Sequence, residues 1–244
     1  MTLILNLGCG SRVSANPCVQ NVDWSPYLRI ARRAWLRKTV RPLLDPPRVR
    51  KLDEIPDNVR VHNLSRGVPW PDGSADAVYH SHLLEHLDRE VAPVFCSEIR
   101  RVLRPRGVHR VVVPDLEVLC RELIADLDTP DPPSDAEPDH DDKVRELLEQ
   151  SVRREAYGTR TKSPVRRKLE NVLLGDARKR GETHQWMYDE MNLRSMLEDC
   201  GFVRVARAAH DSSRIPNWST YGLDQEKDGS PYKPGSLYME AEVP

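Results

Sequence analysis

The chain has no run of apolar residues approaching the roughly 20 needed to cross a bilayer, so no transmembrane segment is expected among its 244 residues. Its first apolar stretch, Leu3–Leu7, has no basic flank, and no signal peptide is expected. Cysteine is scarce. The five residues, at 9, 18, 96, 120 and 200, form no C-x-x-C pair. That spacing suggests neither a zinc site nor a disulfide framework, and it suits a reducing cytoplasm, the expected location. Net charge is nearly absent, at −1 from 37 Lys/Arg and 38 Asp/Glu. A protein built mainly to hold nucleic acid carries a basic surplus, so no stable nucleic-acid partner is expected. There is no internal repeat.

What is present alternates. Leu3–Leu7, Val19–Asp23, 59–64, 75–80 and 108–113 read as short buried strands. Between them, residues 27–44 and 83–103 have helical patterning, the second interrupted near Pro93. Strand and helix in this alternation predict an α/β domain, a doubly wound and mostly parallel sheet. Residues 129–142, TPDPPSDAEPDHDD, hold six acids and no Lys or Arg; residues 143–180 hold 12 Lys/Arg against five acids. This pair of segments reads as a charged loop and helical insertion, a candidate lid, ahead of a last helix (191–200) and two late strands. The expected organisation is a cofactor-binding core (1–128), the insertion (129–180), and a completion of the core with the acceptor site (181–244).

The first turn is glycine-rich. In LNLGCGS, Gly8 and Gly10 flank Cys9 directly after the first strand, and Asp23 ends the second. Ligands of doubly wound sheets bind beyond the carboxyl ends of the strands. Glycine lets a ligand approach the backbone closely, and a carboxylate can accept two ribose hydroxyls. The third glycine of a dinucleotide fingerprint is missing, since positions 11 and 13 are Ser and Val, so a pyrophosphate cradle is not supported. A nucleoside site and a mere tight loop both remain open on these residues alone.

A longer series of segments narrows the choice. LNLGCGS, NVDWSP, VHNLSRGVPWPDGSADAVYHSHLLEHL and EIRRVLRPRGVHRVVVPDLE resemble the class I S-adenosylmethionine-dependent methyltransferases. The likeness is nearest the type 11-like subgroup associated with sugar, polysaccharide or natural-product biosynthesis. GETHQWMYDEMNLRSMLEDCGF and LDQEKDGSPYKPGSLYMEAEV resemble that subgroup's tail. The resemblance implies a Rossmann-like core, S-adenosylmethionine as cofactor, and methyl transfer to a small-molecule or saccharide acceptor. It places Gly8, Cys9 and Gly10 beneath the methionine moiety, Asp23 on the ribose, Asn63 and Leu64 at the adenine, and Ser81 and His82 at the mouth facing the sulfonium. Asn6 stands where a common acidic residue would contact the amino group.

Methyl transfer to a hydroxyl needs an aligned nucleophile and a proton acceptor. His184, with Trp186 and Tyr188 in HQWMYDE, offers an imidazole beside aromatics that suit a sugar face. It is the first candidate base, with His82 as an orienting group. Asp115 follows the fifth strand and reads equally as a substrate-orienting acid or a helix cap. Glu85 and His86 lie one turn beyond His82 and read as a buried structural pair. No further ligand at suitable spacing is evident, so no metal is predicted. Two other functions stay open: an RNA or protein methyltransferase using the basic insertion, and a non-catalytic cofactor-binding module.

Overall fold

A computed structural model of the chain describes residues 2–44, 46–53, 57–128, 143, 144, 147 and 184–244. The proposed insertion, apart from three of its residues, lies outside these. The strands are β1 (Ile4–Leu7), β2 (Val19–Asp23), β3 (Val59–Val61), β4 (Ala75–Ser81), β5 (Leu103–Pro114), β6 (Val203–Ala208) and β7 (Ser236–Glu242). The main helices are α1 (Pro26–Ala31), α2 (Ala34–Val40), α3 (Pro46–Asp53), α4 (Val91–Val102), α5 (Leu116–Leu127) and α6 (Glu190–Asp199).

The strands form one sheet in the order β3-β2-β1-β4-β5-β7-β6. All pairings are parallel except those of β7, which runs antiparallel to both β5 and β6. The sheet is the expected Rossmann-like, mostly parallel one. Its order reverses between β1 and β4, which places a crevice at their carboxyl ends.

Burial explains the strands. Every residue of β1 is buried, as is Val108–Pro114 of β5, the pattern of strands covered on both faces. On one face, Leu5, Val78, Val111 and Val113 pack with Phe95 and Ile99 of α4 and Leu193 and Leu197 of α6. On the other, Ile4, Ala77, Tyr79 and Val112 meet Ile215, Trp218, Tyr221 and Leu223. Among the described residues, that second layer is a loop with one short 3-10 turn, Trp218–Tyr221.

A buried ion network fastens the loop down. Arg110, fully buried on β5, donates to Asp224 (2.7 Å), Glu240 (2.8 Å) and the carbonyls of Ala209 (2.6 Å) and Ser212 (2.9 Å). The Tyr79 hydroxyl donates to the second oxygen of Asp224 at 2.6 Å. With every charge partnered, the guanidinium is held in the interior despite its desolvation cost.

Several boundaries differ from the sequence reading. The helix expected over 83–103 begins only at Val91, and residues 84–86 form a separate 3-10 turn. Pro93, which lacks an N–H, falls in the first turn of α4, where none is needed. The helix expected over 27–44 is split at Arg33, whose backbone is extended (φ −121°, ψ 97°). The split lets Tyr27, Ile30 and Val40 share one cluster with Leu52 of α3. The fifth strand, expected over 108–113, already starts at Leu103 and takes in residues 104–107, with a bulge opposite Ala75–Ala77. The third strand stops at Val61, because Asn63 caps a 3-10 turn over 64–66.

Candidate functional site

The chain leaves β1 through two left-handed glycines, Gly8 (φ +65°) and Gly10 (φ +52°). They are glycine for different reasons. A Cβ on Gly8 would lie 2.9 Å from the Leu83 side chain, whereas a Cβ on Gly10 would meet nothing within 4 Å. Gly8 therefore seats the turn against the segment after β4. Gly10 presents bare backbone to open space.

Asp23, at the end of β2, shapes this loop. Its Oδ2 accepts the Gly10 N–H at 2.7 Å, and its Oδ1 accepts the N–H groups of Trp24 and Ser25, the latter at 2.7 Å. The carboxylate is only half-buried and its Oδ2 retains an acceptor site, so it can meet a ribose hydroxyl beside the glycine floor. A nucleoside cofactor thus fits: Gly10 leaves the space that a side chain would fill, and Asp23 supplies the adjacent acceptor.

The remaining residues assigned to the cofactor are placed as follows. Asn6 is buried, and its amide donates to the Arg12 carbonyl and to Asn21, both at 2.9 Å. It pegs the base of the loop. The Cys9 side chain turns inward to Leu28 and Val59, and burial pushes its thiol pKa well up. Its N–H donates to Val22 at 3.1 Å. Asn63 accepts the Ser65 N–H at 3.1 Å, and Leu64 packs on the main core. Both follow β3, on the same sheet edge as Asp23. Arg12, which the sequence did not single out, donates to the carbonyls of Leu223 (3.0 Å) and Gln225, and stacks 4.0 Å over the Tyr232 ring. It ties the glycine loop to the segment 223–232.

Across the crevice, Ser81 ends β4 and His82 follows with φ +49°, a left-handed conformation uncommon for a residue with a side chain. Both ring nitrogens of His82 are engaged. Nδ1 lies 3.3 Å from Oε1 of Glu85, and Nε2 lies 2.9 Å from the Ser236 hydroxyl. Glu85 is fully buried. Burial pushes its carboxyl pKa up, but the imidazoles of His82 and His86 outweigh that and hold it below the ordinary value.

The other candidates gather near this edge. The His184 ring stands edge-on to His86, with centroids 4.8 Å apart. The Glu85 carbonyl accepts the N–H groups of Gln185 (2.6 Å) and Trp186 (3.3 Å), which fixes the 184–189 strand of chain onto the segment after β4. Trp186 packs against the main core, with the Arg89 guanidinium 4.4 Å over its ring. These two line a groove of about 400 Å³ between α4 and α6, with Tyr188, Asn192, Met196 and Cys200. Tyr188 itself is buried and bridges to Asp115. Asp115 is also fully buried. It accepts the Glu117 N–H at 3.0 Å as the cap of α5 and pairs with Arg207. Asp189 caps α6 through a reciprocal pair with Asn192.

A family model described as a methyltransferase domain matches residues 5–111. No curated protein matches. Among solved structures, the apo S-adenosylmethionine-dependent methyltransferase SibL is 14% identical with a TM-score of 0.45, and the alignment covers 100% of this chain and 50% of that one. PigF with SAH is 12% identical with a TM-score of 0.45 and the same coverages. A SAM-dependent methyltransferase from Aquifex aeolicus is 14% identical, with a TM-score of 0.41 and coverages of 100% and 82%. The chain spans half the length of SibL and of PigF. The segment matched by the methyltransferase-domain model contains the glycine turn, Asp23 and His82. No described helix is long and apolar enough to cross a membrane.

Proposed function

We propose that the chain O-methylates a small polar acceptor, a sugar, glycan precursor or specialised metabolite, with His82 as the general base. One observation carries the reading. At the carboxyl end of β4, where the crevice opens, His82 is held in a left-handed conformation with a buried carboxylate behind one ring nitrogen and a hydroxyl in front of the other. Strained residues persist only where the surroundings fix them, and they cluster at functional sites.

The residues divide the work. Gly10 and Asp23 would hold the cofactor, which supplies the activated methyl group. The Glu85 carboxylate beside Nδ1 favours the tautomer with its hydrogen there, leaving the Nε2 lone pair as acceptor. Ser236 marks the direction from which a hydroxyl reaches that lone pair. An acceptor hydroxyl in the same direction loses its proton to Nε2 as its oxygen attacks. The preference passes from His184 to His82 on the strength of this carboxylate-and-hydroxyl arrangement. Trp186 and Arg89 add an indole face and a hydrogen-bonding guanidinium beside the groove, surfaces suited to a polyhydroxylated ring.

The test is transfer of labelled methyl to a panel of sugars, glycan precursors and metabolites. Replacing His82 by Ala should lower kcat about 100- to 10,000-fold, the usual effect of losing a general base, with cofactor affinity unchanged. A near-normal rate removes His82 from the chemistry. Methylation of RNA instead, with salt-sensitive binding, would contradict the small-acceptor reading.

A further inference from the structure

We propose that Glu85, His86 and His184 bind a divalent transition-metal cation. Their ligand atoms, one carboxylate oxygen and two imidazole nitrogens, all lie within 4.8 Å of one another. Tetrahedral bonds of about 2.0–2.1 Å place ligand atoms roughly 3.3 Å apart, so modest side-chain rotation closes the set around an ion. The backbone already holds the two contributing segments together. The carbonyl of Glu85 accepts the N–H groups of Gln185 and Trp186, the residues directly after His184.

The second observation is the carboxylate itself. Both oxygens of Glu85 are buried and neither accepts a hydrogen bond. Such a group is costly to bury, and buried polar atoms are nearly always partnered. The His82 and His86 nitrogens stand 3.3 and 3.9 Å from Oε1, at ion-pair rather than hydrogen-bond geometry. A cation between Glu85 and the two imidazoles supplies the missing partner. One oxygen can ligate the ion while the other continues to face His82.

The donor set selects the cation. Two imidazoles and a carboxylate suit zinc and its neighbours, whereas calcium and magnesium prefer oxygen ligands throughout. Three protein ligands also leave a coordination position open for water or an acceptor oxygen. The sequence conceals the site because its third ligand lies beyond the whole charged segment 129–180. Nothing in this inference depends on the identity of the acceptor.

The experiment uses the full chain, stripped with a chelator and titrated with Zn²⁺ by calorimetry and with Co²⁺ by visible absorption. One equivalent should bind, with ligand-field bands of a low-coordinate Co²⁺ site. His86→Ala and His184→Ala should each weaken Zn²⁺ binding about 100-fold or more and abolish the bands, since the loss even of an outer partner typically costs 10- to 100-fold. Both rings are partly exposed, so these variants are safer for the fold than Glu85→Gln. Absence of Zn²⁺ binding to the unaltered chain overturns the proposal. So does binding unchanged in both variants, which would place the ion elsewhere. Neither result bears on methyl transfer by His82, which is read from kcat.

Discussion

Gly8 and Gly10 are two residues apart, share a left-handed backbone, and ask different things of a side chain. Adding one methyl to either costs about 1–2 kcal/mol of backbone strain. At Gly8 the methyl also meets Leu83 at 2.9 Å, while at Gly10 it enters empty space. Gly8→Ala should therefore lower the melting temperature more than Gly10→Ala. Cofactor affinity should fall more in Gly10→Ala. Equal melting temperatures with equal affinities would mean that the loop does not divide its labour this way. The glycine pair was legible in the sequence because few other residues tolerate such a turn. The division was not, because Leu83 reaches Gly8 from a distant segment. Cys9 shows the same limit: its place in the motif says nothing of its thiol, which points into the cluster with Leu28 and Val59.

At the scale of elements, the second layer over the sheet depends on a single side chain. Arg110 reaches from β5 to Asp224, Glu240 and the carbonyls of Ala209 and Ser212. Arg110→Ala would leave Asp224 with the Tyr79 hydroxyl and Glu240 with Ser213 and Arg214, both without the buried guanidinium. Losing one member of a buried ion network typically costs about 3–5 kcal/mol, and chemical denaturation should register a loss of that size. A loss below about 1 kcal/mol would mean that the loop is held by its apolar contacts alone. The strands could be read from sequence because burial on both faces leaves continuous apolar runs, as in Val111–Val113. The Arg110 network could not. In HRVVV it reads as a surface charge, since the carboxylates that neutralise it come from the far end of the chain. Helix limits were less legible for a local reason. The left-handed His82 and the separate turn over 84–86 delay α4 to Val91, and an apolar period does not reveal such a backbone reversal.

For the molecule as a whole, acid should act through a buried histidine pair. His80 and His109 lie fully buried with their Nε2 atoms 2.9 Å apart. Burial lowers both pKa values, that of His80 to about 4 and that of His109 well below its usual value, where the neighbouring His80 adds to the effect. The folded state therefore holds both rings neutral, and unfolding lets them take up protons. Their contribution is fully present above about pH 6.5 and is lost as pH falls from there towards 4, by about 3 kcal/mol for His80. Urea midpoints should decline over this interval, and replacing both rings by Leu should flatten the decline. An unchanged pH dependence in the double variant would show that other groups govern acid unfolding. The central claim concerns the crevice at the β1–β4 reversal, and calorimetry of S-adenosylmethionine against the unaltered chain and Asp23→Ala tests it most directly. The account predicts one site, with affinity weakened in a still-folded Asp23→Ala by about 1.5–3 kcal/mol, the loss of charge-assisted hydrogen bonds. No binding to the unaltered chain, or equal affinity in the variant, would contradict it.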